Sequence, residues 1–372
     1  MFKSIETAQR ISSYFDEKGG KVVLGIDGSI DEVWQIVANK KSKNEYVFYD
    51  KMKSFADVVH STGTGGLLGE IILKRRSYGG FTCNTGKSVG CLGFDLTLIG
   101  AFGKDRIEPV FREFQEKHEV ITVCNPCQSE VFEFTDGKIM LAHIAETSNI
   151  TWEQLVDALT WDVLHKIYRD ADVVGLGYWS LLNNFDDLVA QLCEHFVGKD
   201  KKARMFFDFS DFRKHDRSML LHTFDILSGL NDKVAMTLSV NEHEATTLFS
   251  HFGRDFEWKA PTNIEKDIEF IRESIGLDEF IIHTPHYAVA STAYEGTAKV
   301  SQRYCTSPVI TTGAGDNFNG GYIAASVRHG ELNLSERLLV GNAATGFYIR
   351  NGYSPNKIEL SSEVSEILKE TT

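Results

Sequence analysis

The sequence predicts an α/β chain: a mostly parallel central sheet with helices on both faces, and a separate small β-sheet. Three observations carry that expectation. Short apolar runs alternate with amphipathic stretches along most of the 372 residues. Two segments break the alternation with β-rich runs whose faces read as exposed. No internal repeat or Ser/Pro-rich linker divides the chain, so residues 1–372 read as one domain. The strand runs are 22–26, 96–101, 173–176, 205–209, 234–237 and 280–283, continuous in apolar residues as buried parallel strands are. Between them lie helix patterns at 84–93, 107–117, 186–196, 242–250 and 264–275. Ile5, Ala8, Ile11 and Tyr14 recur at helical spacing and add an amphipathic N-terminal helix. Right-handed crossovers then place the loops after the strands along one sheet edge, where ligands bind.

The first irregular segment, 31–77, holds WQIVA, EYVFYD and EIILKRRS and reads as β-ribbons. The second, 119–144, holds VFEF and IMLAHI on either side of Thr135-Asp136-Gly137-Lys138. Asp-Gly between two β-rich runs signals a hairpin. Two such insertions can combine into one small sheet that covers a ligand cleft.

Composition narrows the function. With 42% hydrophobic and 24% charged residues the chain is globular, not disordered. Its net charge is 39 − 52 = −13, which argues against nucleic acid and anionic membranes as partners. One local nucleotide site remains compatible with it. No apolar run reaches the ~18 residues of a membrane span, and MFKSIETAQRISSYF lacks the apolar core of a secretory signal. Six scattered cysteines in so large a chain suggest reduced thiols and a cytoplasmic protein.

The most informative segment is TTGAGDNFNGG, 311–321, between a β-prone stretch (304–310) and a helical pattern. Its glycines let successive N–H groups converge at a helix N-terminus, which suits a phosphate. An aspartate there repels phosphate unless Asp316 is a general base that takes a proton from a substrate hydroxyl, while the backbone of Gly313, Ala314 and Gly315 stabilises the transferred group. An ordinary Gly-rich turn capped by Asp316 fits the spacing equally well. In SYGGFTCNTGKSVG, 77–90, Gly79 and Gly80 allow close approach of a ligand, and Asn84 can bond a polyol hydroxyl. A tight loop with Asn84 in solvent is the alternative. A P-loop is excluded, because its first glycine falls on Phe81. After the first strand, GIDGSID offers Asp27 and Asp31 as competing acceptors for paired sugar hydroxyls, or as an Asx-turn. In SVNEHEA, 239–245, Asn241 and Glu244 read either as a capping box or as oxygen donors facing hydrated Mg²⁺ beside phosphates.

In this order the motifs resemble the ribokinase-like (PfkB) carbohydrate kinase family. TTGAGDNFNGG is similar to its C-terminal signature. YGG with Asn84, followed by GCLGFDLTLIGAFGKD, is similar to its N-terminal one, and NEHEA to its N-x-x-E element. The resemblance spans about 21–355. It implies an ATP-dependent kinase, a phosphotransferase with an alcohol acceptor, acting on a sugar hydroxyl. Asp316 matches the catalytic base, and Gly313, Ala314 and Gly315 the anion hole. Asp31, Gly79, Gly80 and Asn84 match sugar positions. Asn241 and Glu244 match the magnesium and phosphate element, with Glu244 meeting the metal through water. Thr312 and Asn342 fall beside the nucleotide. The insertions match a lid, which often pairs with a second subunit's lid in a homodimer. Two departures stand out. The aspartate that usually opens the C-terminal signature, and in many members helps hold a monovalent cation, is Ile310, which argues against potassium activation. The Gly-rich turn expected after 280–283 is Thr284-Pro285-His286-Tyr287. Two alternatives stay open: a nucleoside (adenosine-like) kinase, and a catalytically silent sugar- or nucleotide-binding sensor.

Weaker features read structurally. Cys124-Asn125-Pro126-Cys127 lacks a second metal-ligand pair, His283 and His286 read as strand-end residues, and Lys74-Arg75-Arg76 as a solvated strand end. Tyr178, Trp34 and Trp179 read as core, with ligand contact as the alternative.

Overall fold

The structure is a computed structural model that describes residues 2–17, 19–144, 146–196, 203–259, 261 and 263–370. In chain order its strands are β1 (Lys21–Ile26), β2 (Ser29–Ser42), β3 (Glu45–Phe48), β4 (Ile71–Gly79), β5 (Asp95–Gly100), β6 (Glu119–Thr122) and β7 (Cys127–Phe134). They continue with β8 (Gly137–His143), β9 (Val173–Gly177), β10 (Arg204–Asp208), β11 (Ala235–Asn241), β12 (Glu279–His283), β13 (Tyr287–Thr292) and β14 (Gly296–Ser301).

Nine strands form the large sheet, in the order β14-β13-β12-β11-β10-β9-β1-β5-β6. The seven strands from β12 to β6 run parallel, and β13 and β14 close one end as an antiparallel hairpin. β1 is central and buried except at its first residue, which is why its sequence is an apolar run. Val23 packs into one hydrophobic layer and Val22 and Leu24 into the other, so each face of the sheet carries its own core. The helices Phe81–Cys91, Ala314–Ser326 and Leu334–Asn351 lie on the second face.

The second sheet has five strands. β2 is its spine, pairing with β3, β4 and β7, and β7 continues into β8 through the turn at Thr135 and Asp136. Alternation along these strands directs Asp31, Val33, Ser129, Val131, Lys138 and Met140 to the face that lines the cavities described below.

Several expectations change. Residues 119–122 belong to the large sheet, so the second insertion begins at β7. The helix Met52–Ser61 interrupts the expected ribbons of 31–77; its apolar residues have helical spacing. The helix expected over 107–117 shrinks to Pro109–Phe111 and Arg112–Gln115. Residues 304–310 form no strand. β14 ends earlier, and Val309 N–H donates to Ile349 O at 2.8 Å, tying this segment to a helix rather than to a strand.

The helix Ala314–Ser326 is buried on every side from Asp316 to Ser326, so its position is set by packing. It meets the helix Leu334–Asn351 through glycines. A Cβ on Gly321 would stand 2.7 Å from Ala344 Cβ and 3.0 Å from Val340 O, and one on Gly341 2.7 Å from the Phe318 ring. Gly321→Ala is therefore expected to lower stability by about 1–3 kcal/mol, the usual cost of overpacking, as read by urea denaturation. Gly66→Ala, where a Cβ meets nothing within 4 Å, should stay within about 0.5 kcal/mol.

Candidate active site

The carboxyl ends of the parallel strands bring the polar residues together. Asp27 follows β1, Tyr178 follows β9, Asp208 ends β10, Asn241 ends β11 and His283 ends β12. Facing them is the start of the helix Ala314–Ser326. Gly313 precedes it with φ +82°, a left-handed conformation that costs glycine nothing. The chain can thus turn sharply and place Asp316 in the first helical turn, where N–H groups lack intrahelical partners.

Asp316 is buried. Its Oδ1 accepts from Tyr178 O–H at 2.9 Å, and its Oδ2 from Asn84 Nδ2 at 3.1 Å. Three separate elements therefore fix this one side chain. Burial, with the charge of Asp208 added, holds its carboxyl well above the usual range, while the two hydrogen bonds pull it down. Asn84 thus lies on the aspartate rather than in open solvent.

The two candidates after β1 are held differently. Asp27 is buried and capped onto the helix Phe81–Cys91: its Oδ2 accepts from Phe81 N–H and its Oδ1 from Thr82 N–H, each at 2.8 Å, and Thr82 Oγ1 adds a third bond. Gly80 is needed beneath it, with φ +90° and a Cβ position only 2.3 Å from Asp27 Oδ2. Burial pushes Asp27 up to about 6. Asp31 faces both cavities described below, with Ser29 Oγ 3.4 Å away, whereas Asp27 lines only the smaller one. Gly79 is packed against it, since a Cβ there would fall 2.6 Å from Asp31 Oδ2.

Asn241 and Glu244 form the capping box: Asn241 Oδ1 accepts from Glu244 N–H at 3.0 Å, and Glu244 Oε2 from Asn241 N–H at 2.9 Å. The remaining Glu244 oxygen accepts from Asn241 Nδ2. Burial pushes Glu244 up to about 7. Asp208, its neighbour, is raised well above the usual range by burial and by Glu244. It accepts from Ser210 N–H and from Asn319 Nδ2, each at 2.8 Å. Among the described residues no three His, Cys, Asp or Glu stand close enough to hold a metal by themselves.

Two adjoining cavities of about 290 and 320 Å³ share Asp31, Asn84, Met140 and Thr312. The first is bounded by Gly80, Gly313, Tyr178 and Asp316. The second carries Arg75, Lys87 and Lys138 on its wall. Lys138, from the small sheet, donates to Thr312 Oγ1 and so bridges that sheet to the Gly-rich loop. Arg75 pairs with Glu133 at 2.7 Å and Lys87 with Glu113.

Asn342, the residue expected beside a nucleotide, sits where the helix Leu334–Asn351 meets the end of β14. It is buried, and its Nδ2 donates to Val300 O and Ser301 O at 3.1 and 3.2 Å, which ties the end of β14 to the helix Leu334–Asn351. The turn without glycine closes through Thr284, whose Oγ1 accepts from His286 N–H and Tyr287 N–H at 3.1 Å each. His283 packs against Phe318, and burial pushes it down to about 4. Asp208, Lys138 and Tyr348 were not among the sequence candidates. Asp208 carried one usable signal, a carboxylate at the end of an apolar strand run.

A family model described as prokaryotic ketohexokinase matches residues 6–367. A curated ketohexokinase from Haloferax volcanii is 29% identical over 361 residues, 94% of this chain and 92% of that protein. Among solved structures, Escherichia coli phosphofructokinase-2, in complex with substrates and products, superposes with a TM-score of 0.63 at 14% identity, covering 94% of this chain and 99% of that one. Arabidopsis thaliana ribokinase, complexed with ribose and ATP, gives 0.61 at 16% identity, with 94% and 99% covered. At such identities these two structures share the fold.

The buried carboxylates have a thermodynamic consequence. Asp27, Asp208, Glu244 and Asp316 all bind protons more tightly folded than unfolded. Their contribution is therefore present at low pH and lost as pH rises through the folded values, about 6 for Asp27 and about 7 for Glu244. The melting temperature of the ligand-free protein should fall by a few °C from pH 6 to pH 8. Glu244→Gln, which removes the charge, should shrink that fall; an unchanged slope in calorimetry would contradict the assignment.

Proposed function

The chain belongs to the prokaryotic ketohexokinase family, within the ribokinase-like (PfkB) carbohydrate kinases, and from that premise we propose that it transfers the γ-phosphoryl group of ATP to a primary hydroxyl of a ketohexose, with Asp316 as the base. It is an ATP-dependent sugar kinase by family; the ketohexose acceptor is taken from the name of the Haloferax volcanii relative. The observation that carries the mechanism is the pair of hydrogen bonds from Tyr178 and Asn84 to Asp316. They orient a carboxylate at the wall of a cavity large enough for a small polyol.

In this reading the sugar lies between Asp31, Gly80 and Asn84. Asp316 takes the proton of the attacking hydroxyl, and that oxygen forms the new bond to the γ-phosphorus. The bond from the γ-phosphorus to the β,γ-bridging oxygen breaks, and ADP leaves. Raising a carboxyl toward neutrality makes it a better base at physiological pH. The N–H groups of the Gly313 to Gly315 turn offset the charge that develops on the phosphoryl oxygens. Lys138 stands over the same loop as a cation, and burial lowers its proton affinity.

The residues present fit a magnesium ion as all-oxygen donors. Asp208 and Glu244 are buried carboxylates whose proton affinity is raised by burial and by neighbouring carboxylates, an environment a cation would relieve. With Glu244 engaged in its capping box, contact through water suits the site. Bound with the nucleotide, the metal would neutralise phosphate charge; Asp208 and Glu244 would hold its water shell.

We extend the reading to the small sheet as a lid that excludes water from the transfer. Its outer side fits a second lid of the same kind in a homodimer: Leu73 and Leu141 are exposed, and the helix Met52–Ser61 buries none of its apolar residues. Among the described residues no helix is long and apolar enough to cross a membrane. Together with six free cysteines, this supports a cytoplasmic enzyme. A nucleoside acceptor and a silent sensor, the two alternatives of the sequence, have no observation that favours them over a sugar kinase.

Asp316→Asn should lower kcat for ketohexose-dependent ADP release by about 10²–10⁴-fold, with the sugar dissociation constant nearly unchanged. Near-wild-type turnover in a coupled assay would remove Asp316 from the mechanism.

A further inference from the structure

The Gly-rich loop hangs from one face of the helix Leu334–Asn351. Tyr348 O–H donates to Thr312 O at 2.7 Å, Thr345 Oγ1 to Ala314 O at 2.8 Å, and Val309 N–H to Ile349 O at 2.8 Å. Positions 345, 348 and 349 share one helical face, so these contacts form a single seam. A trans peptide points its C=O and the next N–H in opposite directions. Fixing Thr312 O toward the helix therefore turns Gly313 N–H away from it, and fixing Ala314 O does the same for Gly315 N–H. Gly313 leaves room for this approach, since a Cβ there would come 3.0 Å from the Tyr348 oxygen.

The monovalent cation that the family resemblance associates with the start of this loop does not fit the donor set. Position 310 is isoleucine, and neither 309–313 (VITTG) nor 351–355 (NGYSP), which flank the same cavity, contains a carboxylate. Thr312 O already accepts from Tyr348, and Ser354 Oγ is engaged with Asn317 Oδ1 at 2.7 Å.

We propose that Tyr348 is a positioning residue of phosphoryl transfer: its hydroxyl, in place of a bound cation, sets the orientation of the Thr312–Gly313 peptide and so aims the Gly313 N–H at the transferring group. The inference rests on the sugar-kinase reading for its kinetic readout. Burial and the nearby Asp316 push Tyr348 up to about 12, so it stays a donor across the working pH range.

The test has two arms. In the first, kcat is measured with fructose and magnesium ATP, in potassium, sodium and caesium chloride against tetramethylammonium chloride at fixed ionic strength. Wild-type kcat should vary less than about twofold. Tyr348→Phe should lower kcat about ten- to a hundredfold, the scale of one lost oriented donor. Its sugar KM should stay within about threefold, and potassium should not rescue it. Thr345→Val, which cuts the seam at a different point, should show the same split between kcat and KM if the phenylalanine variant folds poorly. In the second arm, calorimetry follows magnesium β,γ-methylene-ATP. Affinity should be the same in potassium and tetramethylammonium for the wild type and several-fold weaker for Tyr348→Phe. Tenfold or greater potassium stimulation of wild-type kcat or affinity would overturn the inference, as would wild-type kinetics and affinity in both variants. A wild type without ketohexose-dependent ADP release would fail the functional reading alone, and the calorimetric arm would still decide this one.

Discussion

Much of this structure depends on keeping a charge-bearing carboxyl where water is scarce. Asp316 is buried at the N-terminus of a helix that is itself buried all round. Such a group is costly unless its oxygens are bonded. Each oxygen has a donor, and the donors come from far apart in the chain, Tyr178 after β9 and Asn84 from the helix Phe81–Cys91. The central strands, that helix and the helix Ala314–Ser326 must all be in place at once for the side chain to be held. The close glycine packing between the helices Ala314–Ser326 and Leu334–Asn351 serves the same end, because it fixes Asp316 and the loop beside it as one body.

The neighbouring carboxylates obey the same constraint in different ways. Asp27 is satisfied by backbone N–H groups at a helix start, Glu244 by its capping box, and Asp208 by Ser210 and Asn319. Each is bonded, and together they still repel. In the reading proposed here a magnesium nucleotide would relieve that repulsion on binding, so the strain of the free site and the affinity of the loaded one share one electrostatic origin.

The sequence made the architecture legible because buried parallel strands are apolar runs, and β1, β5, β9, β10, β11 and β12 all write that signature. Gly313 flags its loop because few other residues suit its left-handed turn. Asp27 and Asp31 look alike in one dimension. They part only when the Phe81–Cys91 helix start arrives beside Asp27 and consumes its oxygens. Asn342 sits in a motif-like context, yet in three dimensions its amide is spent on β14. Tyr348, Lys138 and Tyr178 carry no local pattern, since their roles arise from contacts 36, 174 and 138 residues away along the chain. The stretch 304–310 is β-prone but has no free strand to pair with, so tertiary context overrides propensity.

In the proposed mechanism the buried Asp316 carboxylate removes the proton from the acceptor hydroxyl. The most direct check is kcat/KM for the ketohexose as a function of pH at saturating magnesium ATP. The claim requires an acid limb set by one group that must be ionised, with its midpoint clearly above the ordinary aspartate value of about 3.9, because burial raises this carboxyl. A profile flat down to the ordinary carboxylate range, or one that rises as the pH falls, would contradict it.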